Sequence, residues 1–345
     1  MKLGMMAPKG AGSKANKRSQ LNMADKLKPP LLILTGPTAC GKSDTGVILA
    51  EKLETEIISA DSVQVYKHFD IGSAKPSQEL LRRVKHHLVG IVEPNDEFNV
   101  MSFKNRASKV AHELLMKGKI PLVVGGTGLY LKSLMEGLSG GAKISEAVER
   151  EIDKIYEKED QAGVYKRACE ADPEWMLKVH PNDTFRTRRA LGVFMTSGKT
   201  LTQTFKNNVQ ENLWDTMFIV IDPPRAELYR RIEERADKTL NAEWRNEVIR
   251  LKGMGYNDEI KPMRSLGYKT IYDETEGRVS KDDVPRLIKK ATKAFARRQL
   301  TWFRKVHNAV FIPTSPNETP GEIANRILNH NETRNFLSRH NTVIS

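Results

Sequence analysis

Eight consecutive residues, Gly36-Pro37-Thr38-Ala39-Cys40-Gly41-Lys42-Ser43, have the spacing G-x-x-x-x-G-K-[ST] of a phosphate-binding loop. Such a loop needs glycine at 36 and 41, where the backbone must curl until its N–H groups converge on one point. Lys42 adds a point charge for a distal phosphate. Ser43 brings a hydroxyl for Mg²⁺ to the positive end of the helix that follows. Cys40 reads as a small filler of the turn rather than a nucleophile. A second candidate is Asp61, which closes the run Glu56-Ile57-Ile58-Ser59-Ala60. An acid at the carboxyl end of a strand in an open α/β sheet faces the ligand crevice. Thr127, after the apolar run 120–124 and Gly125-Gly126, occupies the end of another strand.

These side chains need elements to hold them. Residues 31–34 form a short apolar run before the loop, and a helical pattern follows over 45–53. Further strands are expected at 56–60, 87–92, 120–124 and 217–221, with a last short one at 309–312. Helices are expected at 78–85, 102–117, from Leu129, 226–240, 244–254 and 283–304. Strands alternating with helices imply an α/β fold, a P-loop doubly wound parallel sheet. Between 140 and 205 predicted strands vanish and charged helical patterns take over, at 145–159, 164–171, 173–179 and 183–197, which reads as a helical insertion domain. The core is then 29–139 plus 206–328, preceded by a basic, disordered extension over 1–28 and followed by a flexible polar tail over 329–345. Ser197-Gly198-Lys199-Thr200 mimics the end of a second phosphate loop, but position 193, where its first glycine belongs, is Val193. His86 and His87 have no further metal-like ligands nearby in sequence and read as structural. Tyr66, Tyr130 and Trp302 read as core aromatics.

The net charge is +13 on 345 residues, and 39% of the chain is hydrophobic. The first thirty residues carry seven Lys or Arg against one Asp, so about half of the excess belongs to the rest of the chain. A basic globular body suggests a polyanionic partner, nucleic acid being the commonest. No run approaches the ~20 apolar residues of a membrane helix. The two cysteines, Cys40 and Cys169, form neither a C-x-x-C pair nor a disulfide framework. A reducing cytoplasm is the expected compartment.

Several motifs follow the phosphate loop in order: Ser59-Ala60-Asp61-Ser62-Val63-Gln64-Val65-Tyr66, Asp70-Ile71-Gly72-Ser73-Ala74-Lys75-Pro76 and Gly125-Gly126-Thr127-Gly128-Leu129-Tyr130. They are joined by His180-Pro181-Asn182-Asp183, Ser197-Gly198-Lys199-Thr200, Ser265-Leu266-Gly267-Tyr268 and Arg297-Arg298-Gln299-x-Thr301-Trp302-Phe303-Arg304. As a set, spanning about residues 30–312, they resemble the tRNA dimethylallyltransferases (tRNA isopentenyltransferases) of the bacterial type. The resemblance implies transfer of a dimethylallyl group from dimethylallyl diphosphate to N6 of the adenosine immediately 3′ of the anticodon, position 37. The leaving group is a diphosphate, so Gly36 to Ser43, a loop type that also binds ATP and other nucleotides, is useful without a triphosphate. The adenine N6 lone pair is delocalised into the ring, so a carboxylate base within hydrogen-bond reach is wanted. Asp61 is the candidate base, with Lys42 and Thr127 as further catalytic groups and Mg²⁺ on Ser43. Carried over residue by residue, Asp61, Ser62, Val63 and Gln64 match the segment that contacts the flipped adenosine. Phe185, Arg186, Thr187, Arg188 and Arg189, and Arg264, Ser265, Leu266, Gly267, Tyr268 and Lys269, match stretches that contact tRNA. Many members carry an Arg after the Val of the first insertion helix. That Arg is a tRNA contact; here Val148 is followed by Glu149, and either Arg150, which comes next, takes the tRNA-binding role with a rotated side chain or the contact is missing. The chain also lacks the Cys/His zinc finger of eukaryotic members. The implied partners are a tRNA anticodon stem-loop and dimethylallyl diphosphate, with no membrane, and the enzyme is expected as a monomer.

Two other readings use the same residues. An adenylate isopentenyltransferase, acting on free AMP, ADP or ATP, needs the same loop and base without a basic helical insertion. A P-loop kinase or NTPase needs an acid after an apolar strand to hold Mg²⁺. Asp222, after residues 217–221, and Asp61 both qualify. Arg297, Arg298 and Gln299 read either as a solvated helix face or as diphosphate or RNA contacts.

Overall fold

The computed structural model describes residues 28–137, 142–207, 213–240 and 243–342. The expected basic extension, except Lys28, thus lies outside the described residues, as do the expected domain boundary at 140 and the last three residues of the tail.

Six strands are described: β1 (Pro30–Thr35), β2 (Ile57–Ala60), β3 (His86–His87), β4 (Leu122–Gly125), β5 (Asp215–Asp222) and β6 (Val310–Pro313). They form one sheet in the order β3-β2-β4-β1-β5-β6, and every pairing is parallel. The centre of that sheet is apolar throughout, because a parallel sheet is covered on both faces. Alternate residues of β1 point opposite ways. Leu31 and Ile33 join one buried cluster with Phe103, Tyr130 and Phe218, while Leu32 and Leu34 join a second with Val47, Ile219 and Ile327. Helices α1 (Lys42–Lys52), α2 (Gln78–Arg83), α3 (Val100–Met116) and α4 (Gly128–Glu136) connect the first four strands to one another and to the insertion. Expected strand 87–92 shrinks to the pair His86–His87. Leu88 and Gly90 adopt left-handed backbone at φ 64° and 61°, which ends extended structure, and Val92 rejoins only as a bridge to Tyr66.

Between β4 and β5 lie α5 (Glu146–Ala171), α6 (Pro173–Met176), α7 (Thr184–Ser197) and α8 (Leu201–Asn207). They pack on one another around a separate apolar cluster that includes Ile152, Val164, Ala168, Met176, Leu191 and Val193. The two helices expected at 145–159 and 164–171 are one run interrupted at Asp160, whose φ of 55° and ψ of −166° break the hydrogen-bond ladder. Gly198 caps α7 in left-handed conformation, so the phosphate-loop mimic at 197–200 is a helix end.

Beyond β5 the chain forms α9 (Arg225–Leu240), α10 (Trp244–Gly253), α11 (Tyr268–Thr275), α12 (Val284–Phe303), α13 (Pro320–Asn329) and α14 (Asn331–Arg339). The last corrects the flexible-tail expectation over its length. Thr333, Phe336 and Leu337 are buried, and Phe336 joins the cluster that holds Leu32. His340 Nε2 lies 2.8 Å from Asp215 Oδ2 at the start of β5. Charged residues on the outer face hid this inner stripe from a composition-based reading. Phe336→Ala therefore costs about 3–5 kcal/mol of stability, read as a lower midpoint in urea at unchanged slope.

Candidate active site

Neighbouring parallel strands end at one edge of the sheet, so the segments after β1, β2 and β4 meet. Those segments are the phosphate loop, Asp61 and Thr127. Contacts between strand ends bring them close: Thr35 Oγ1 donates to the Gly125 carbonyl at 2.7 Å. A Cβ on Gly125 would lie 2.3 Å from the Ala60 carbonyl oxygen, so no side chain fits there. Thr127 N donates to the same carbonyl at 3.2 Å, and Thr127 Oγ1 accepts from Ser62 N at 3.1 Å. The Thr127 hydroxyl thus keeps its own proton free to donate.

An open cleft of about 550 Å³ runs across this edge. On one side are Thr38, Ala39, Gly41, Lys42 and Ser43; on another are Asp61, Ser62, Val63, Gln64 and Thr127. Gly41 is the N-cap of α1 at φ 87°, a left-handed conformation that aims the next N–H groups at the cleft. Lys42 Nζ reaches back to the Pro37 carbonyl at 3.4 Å. Ser43 Oγ makes no hydrogen bond to a described residue and is free for a ligand. Asp61 Oδ1 accepts from Val63 N at 2.8 Å and Gln64 N at 3.1 Å. Its Oδ2 has no partner among the described residues and is available to the cleft. Gln64 Nε2 donates to the carbonyls of Ser73 and Ala74 at 3.2 and 2.9 Å, and its Oε1 accepts a long bond from Ser59 Oγ at 3.4 Å, which leaves one lone pair of that oxygen for a ligand.

Not every expected site residue reaches the cleft with its side chain. Cys40 is fully buried beneath the loop, where burial pushes its thiol up. A Cβ on Gly36 would lie 2.6 Å from its Sγ. Pro37 is buried too, so these positions serve through backbone shape. Ser265 and Leu266 line the cleft, but Gly267 and Tyr268 are buried behind it. Burial next to Glu247 pushes the Tyr268 hydroxyl up, so it stays a hydrogen-bond donor. Arg264 and Lys269 are tied to Asp258, through its carbonyl at 2.6 Å and its carboxylate at 3.4 Å, and are absent from the cleft lining.

The insertion residues are also outside the cleft. Phe185 is 79% exposed. Arg186 pairs with Asp183 at 2.6 Å, Arg188 with Asp153, and Arg150 with Glu146 at 3.7 Å. Arg189 is partly desolvated, which pushes its guanidinium down. Thr187, expected beside them at the RNA, is instead buried inside α7 with its hydroxyl unpartnered.

Sequence reasoning missed two groups. Arg235 on α9 lines the cleft and donates to Thr38 Oγ1 at 3.0 Å. Arg231, one turn earlier, lines it too and is braced by Glu227 at 2.6 Å. Arg230 and Arg231 hold the Glu227 carboxyl down at about 2, so the brace is ionised at neutral pH. The second group is Gln299 on α12: it is buried, whereas its neighbours Arg297 and Arg298 are exposed. Its Oε1 accepts from Thr38 N at 2.9 Å and its Nε2 donates to the Gly126 carbonyl at 2.9 Å, bolting the phosphate loop to the turn after β4. His87 pairs with Glu56 at 2.7 Å and His86 with the Val84 carbonyl at 2.8 Å. Asp222, the alternative acid, is absent from the cleft lining, and burial raises its pKa against the pull of Arg304.

Taken with the all-parallel sheet and a glycine-turned loop at the start of a helix, this arrangement defines a P-loop α/β protein. The profile of the IPP transferase family matches residues 64–306. The tRNA dimethylallyltransferase of Thermotoga petrophila is 38% identical over 81% of this chain and 91% of its own. That of Geobacter sulfurreducens is 39% identical over 81% and 90%. Among solved structures, the full-length tRNA isopentenylpyrophosphate transferase of Bacillus halodurans superposes with a TM-score of 0.67 at 29% identity, covering 91% of this chain and 98% of that one. The chain belongs to the IPP transferase family, and is a transferase by that membership.

Proposed function

We propose that this chain transfers the dimethylallyl group of dimethylallyl diphosphate to N6 of the adenosine 3′ of the anticodon in tRNA, giving N6-isopentenyladenosine. The observation that carries this reading is the placement of Asp61 Oδ2, unpartnered, across one cleft from Lys42 and Ser43. A base and a diphosphate site then flank the same space. The C1–O bond of the diphosphate ester breaks as the N6–C1 bond forms. The N6 proton passes to Asp61, and diphosphate leaves toward Lys42, Arg231, Arg235 and the N–H groups of Gly41 to Ser43. Ala39, Val63, Leu266 and Phe295 offer the apolar wall that a dimethylallyl chain requires. They also keep water from the allylic carbon.

Ser43, on the phosphate-loop side of the cleft, suits Mg²⁺, which takes a hydroxyl, substrate phosphate oxygens and waters rather than an all-protein cage. When bound, the ion neutralises charge on the departing diphosphate. The exposed Phe185 and Arg186, with half-buried Arg188, lie outside the cleft and support an insertion that faces RNA beyond the reacting nucleotide, since phosphate contacts fix register and aromatic rings stack on unpaired bases. No helix among the described residues is long and apolar enough to cross a membrane. A monomer in the cytoplasm completes the proposal.

The test supplies purified protein with Mg²⁺ and dimethylallyl diphosphate, and either unmodified tRNA or AMP and ATP as acceptor. Prenylated adenosine is read by mass. Product on tRNA alone is expected. Product on free nucleotide with none on tRNA would move the chain to the adenylate branch, and ATP turnover without prenylation would make it a kinase or NTPase.

A further inference from the structure

Glu247 is a carboxylate on α10, 2% exposed, and lies outside the cleft lining. Buried carboxylates persist only when fully hydrogen-bonded, and this one is. Its Oε2 accepts from Asp70 N at 2.9 Å and Ile71 N at 2.8 Å, and its Oε1 from Gly72 N at 3.3 Å and the Tyr268 hydroxyl at 2.5 Å. Tyr268 Oη in turn accepts from Ser73 N at 3.1 Å. Four successive backbone N–H groups, 70 to 73, thus end on two buried side chains. Arg250 Nη2, 3.9 Å from Glu247 Oε2, is the neighbouring cation. Trp244 fills the space between, and a Cβ on either Gly72 or Gly267 would lie 2.0 Å from its ring.

The backbone so held is the one that orients Gln64. Both Gln64 amide hydrogens go to the Ser73 and Ala74 carbonyls at 3.2 and 2.9 Å, and its Oε1 accepts only a longer bond from Ser59 Oγ at 3.4 Å, so the position of 73–74 is the stronger hold on which way the amide faces and one lone pair of Oε1 stays available. Gln64 N also helps hold Asp61 Oδ1. Bonds therefore run without a gap from the 264–269 stretch, through Tyr268 and Ser73, to Gln64 and Asp61. We propose that Glu247 and Tyr268 are positioning residues for the acceptor base: they clamp residues 70–73 so that Gln64 presents its amide oxygen, and Asp61 its free carboxylate oxygen, to an exocyclic amine. The proposal rests on the transferase reading above. It gives the buried members of the 264–269 stretch a role that needs no contact with RNA.

Tyr268→Phe removes one oxygen and keeps the ring that packs on Phe69 and Trp244. It is assayed with Gln64→Ala and the double variant, using dimethylallyl diphosphate and an anticodon stem-loop RNA. Tyr268→Phe is expected to lower kcat roughly ten- to hundredfold, the scale of a sub-ångström misplacement. The KM for dimethylallyl diphosphate should stay within about twofold, because the phosphate loop is untouched. In the Gln64→Ala background the same change should have almost no further effect, since residues acting in series are not additive. Glu247→Gln sets an amide among backbone donors and should repeat the pattern with a larger loss. Additive losses in the double variant, an undiminished kcat, or a rise in the diphosphate KM to match would overturn the clamp while leaving the transferase standing. Wild-type protein that prenylates no RNA would instead overturn the function and the clamp with it.

Discussion

Asp61→Asn is expected to lower the rate of prenyl transfer by about 10²–10⁴-fold, the span that a positioned general base contributes, with the affinity for dimethylallyl diphosphate unchanged. The geometry makes this substitution a clean one. Asp61 Oδ1 caps Val63 N and Gln64 N, and an asparagine carbonyl oxygen can accept both bonds in the same place. The amide nitrogen then occupies the Oδ2 position, where it donates a proton instead of taking one. Loop, volume and cleft shape are preserved, and only the proton acceptor is lost. Alanine is the poorer test, because it also frees two backbone N–H groups and lets residues 62–64 relax. The measurement is single-turnover transfer to tRNA, with binding of dimethylallyl diphosphate followed separately. A rate within tenfold of the wild type would remove Asp61 from the role of base. A parallel loss of diphosphate affinity would instead assign it to the phosphate or metal side of the cleft.

How much of this was legible in the sequence depended on contiguity. Gly36 to Ser43 and Asp61 to Gln64 are local runs, and a strand before each is enough to aim them at one edge of a parallel sheet. Gln299 and Arg235 come from helices far along the chain: Gln299 meets Thr38 across 261 positions. No spacing rule connects them. Gln299 did carry one faint signal, a polar residue on the same helix face as Thr292, Ala296 and Phe303, all buried. A polar group on an apolar face wants a partner. Glu247 carried the same signal among Trp244, Val248 and Leu251.

Transferring a contiguous stretch from a family pattern blurred a different distinction. In α7, Phe185 and Arg186 face solvent while Thr187 faces the helix bundle, because neighbouring residues on a helix do not share a face. In the 264–269 stretch, Leu266 lines the cleft and Tyr268 lies behind it. The family pattern marked which segments matter, and only the packing divides the residues that can touch a substrate from those that hold them. The α14 error had the same root: average polarity says nothing about where Phe336 and Leu337 point.

Lys42→Met should cost nearly as much as the loss of the base, by another route. Methionine keeps the length of the side chain and removes its charge, so the loop can still fold around a diphosphate. The Gln299 bridge to Thr38 and Gly126 does not involve Lys42 and should hold the loop's shape. What disappears is the cation nearest the phosphate-loop side of the cleft, leaving Arg231 and Arg235 on the α9 side. Negative charge grows on the bridging oxygen as the C1–O bond lengthens. A fixed cation is therefore worth more in the transition state than in the bound ester. The expected result is a kcat reduced by about 10²–10³-fold with a smaller rise in the KM for dimethylallyl diphosphate. Binding of tRNA alone should be unchanged, since the insertion that carries Phe185 and Arg186 has its own core. A loss confined to KM would mean that Lys42 holds the ester equally in both states. In that case Arg231 and Arg235, which the sequence did not single out, carry the stabilisation of the leaving group.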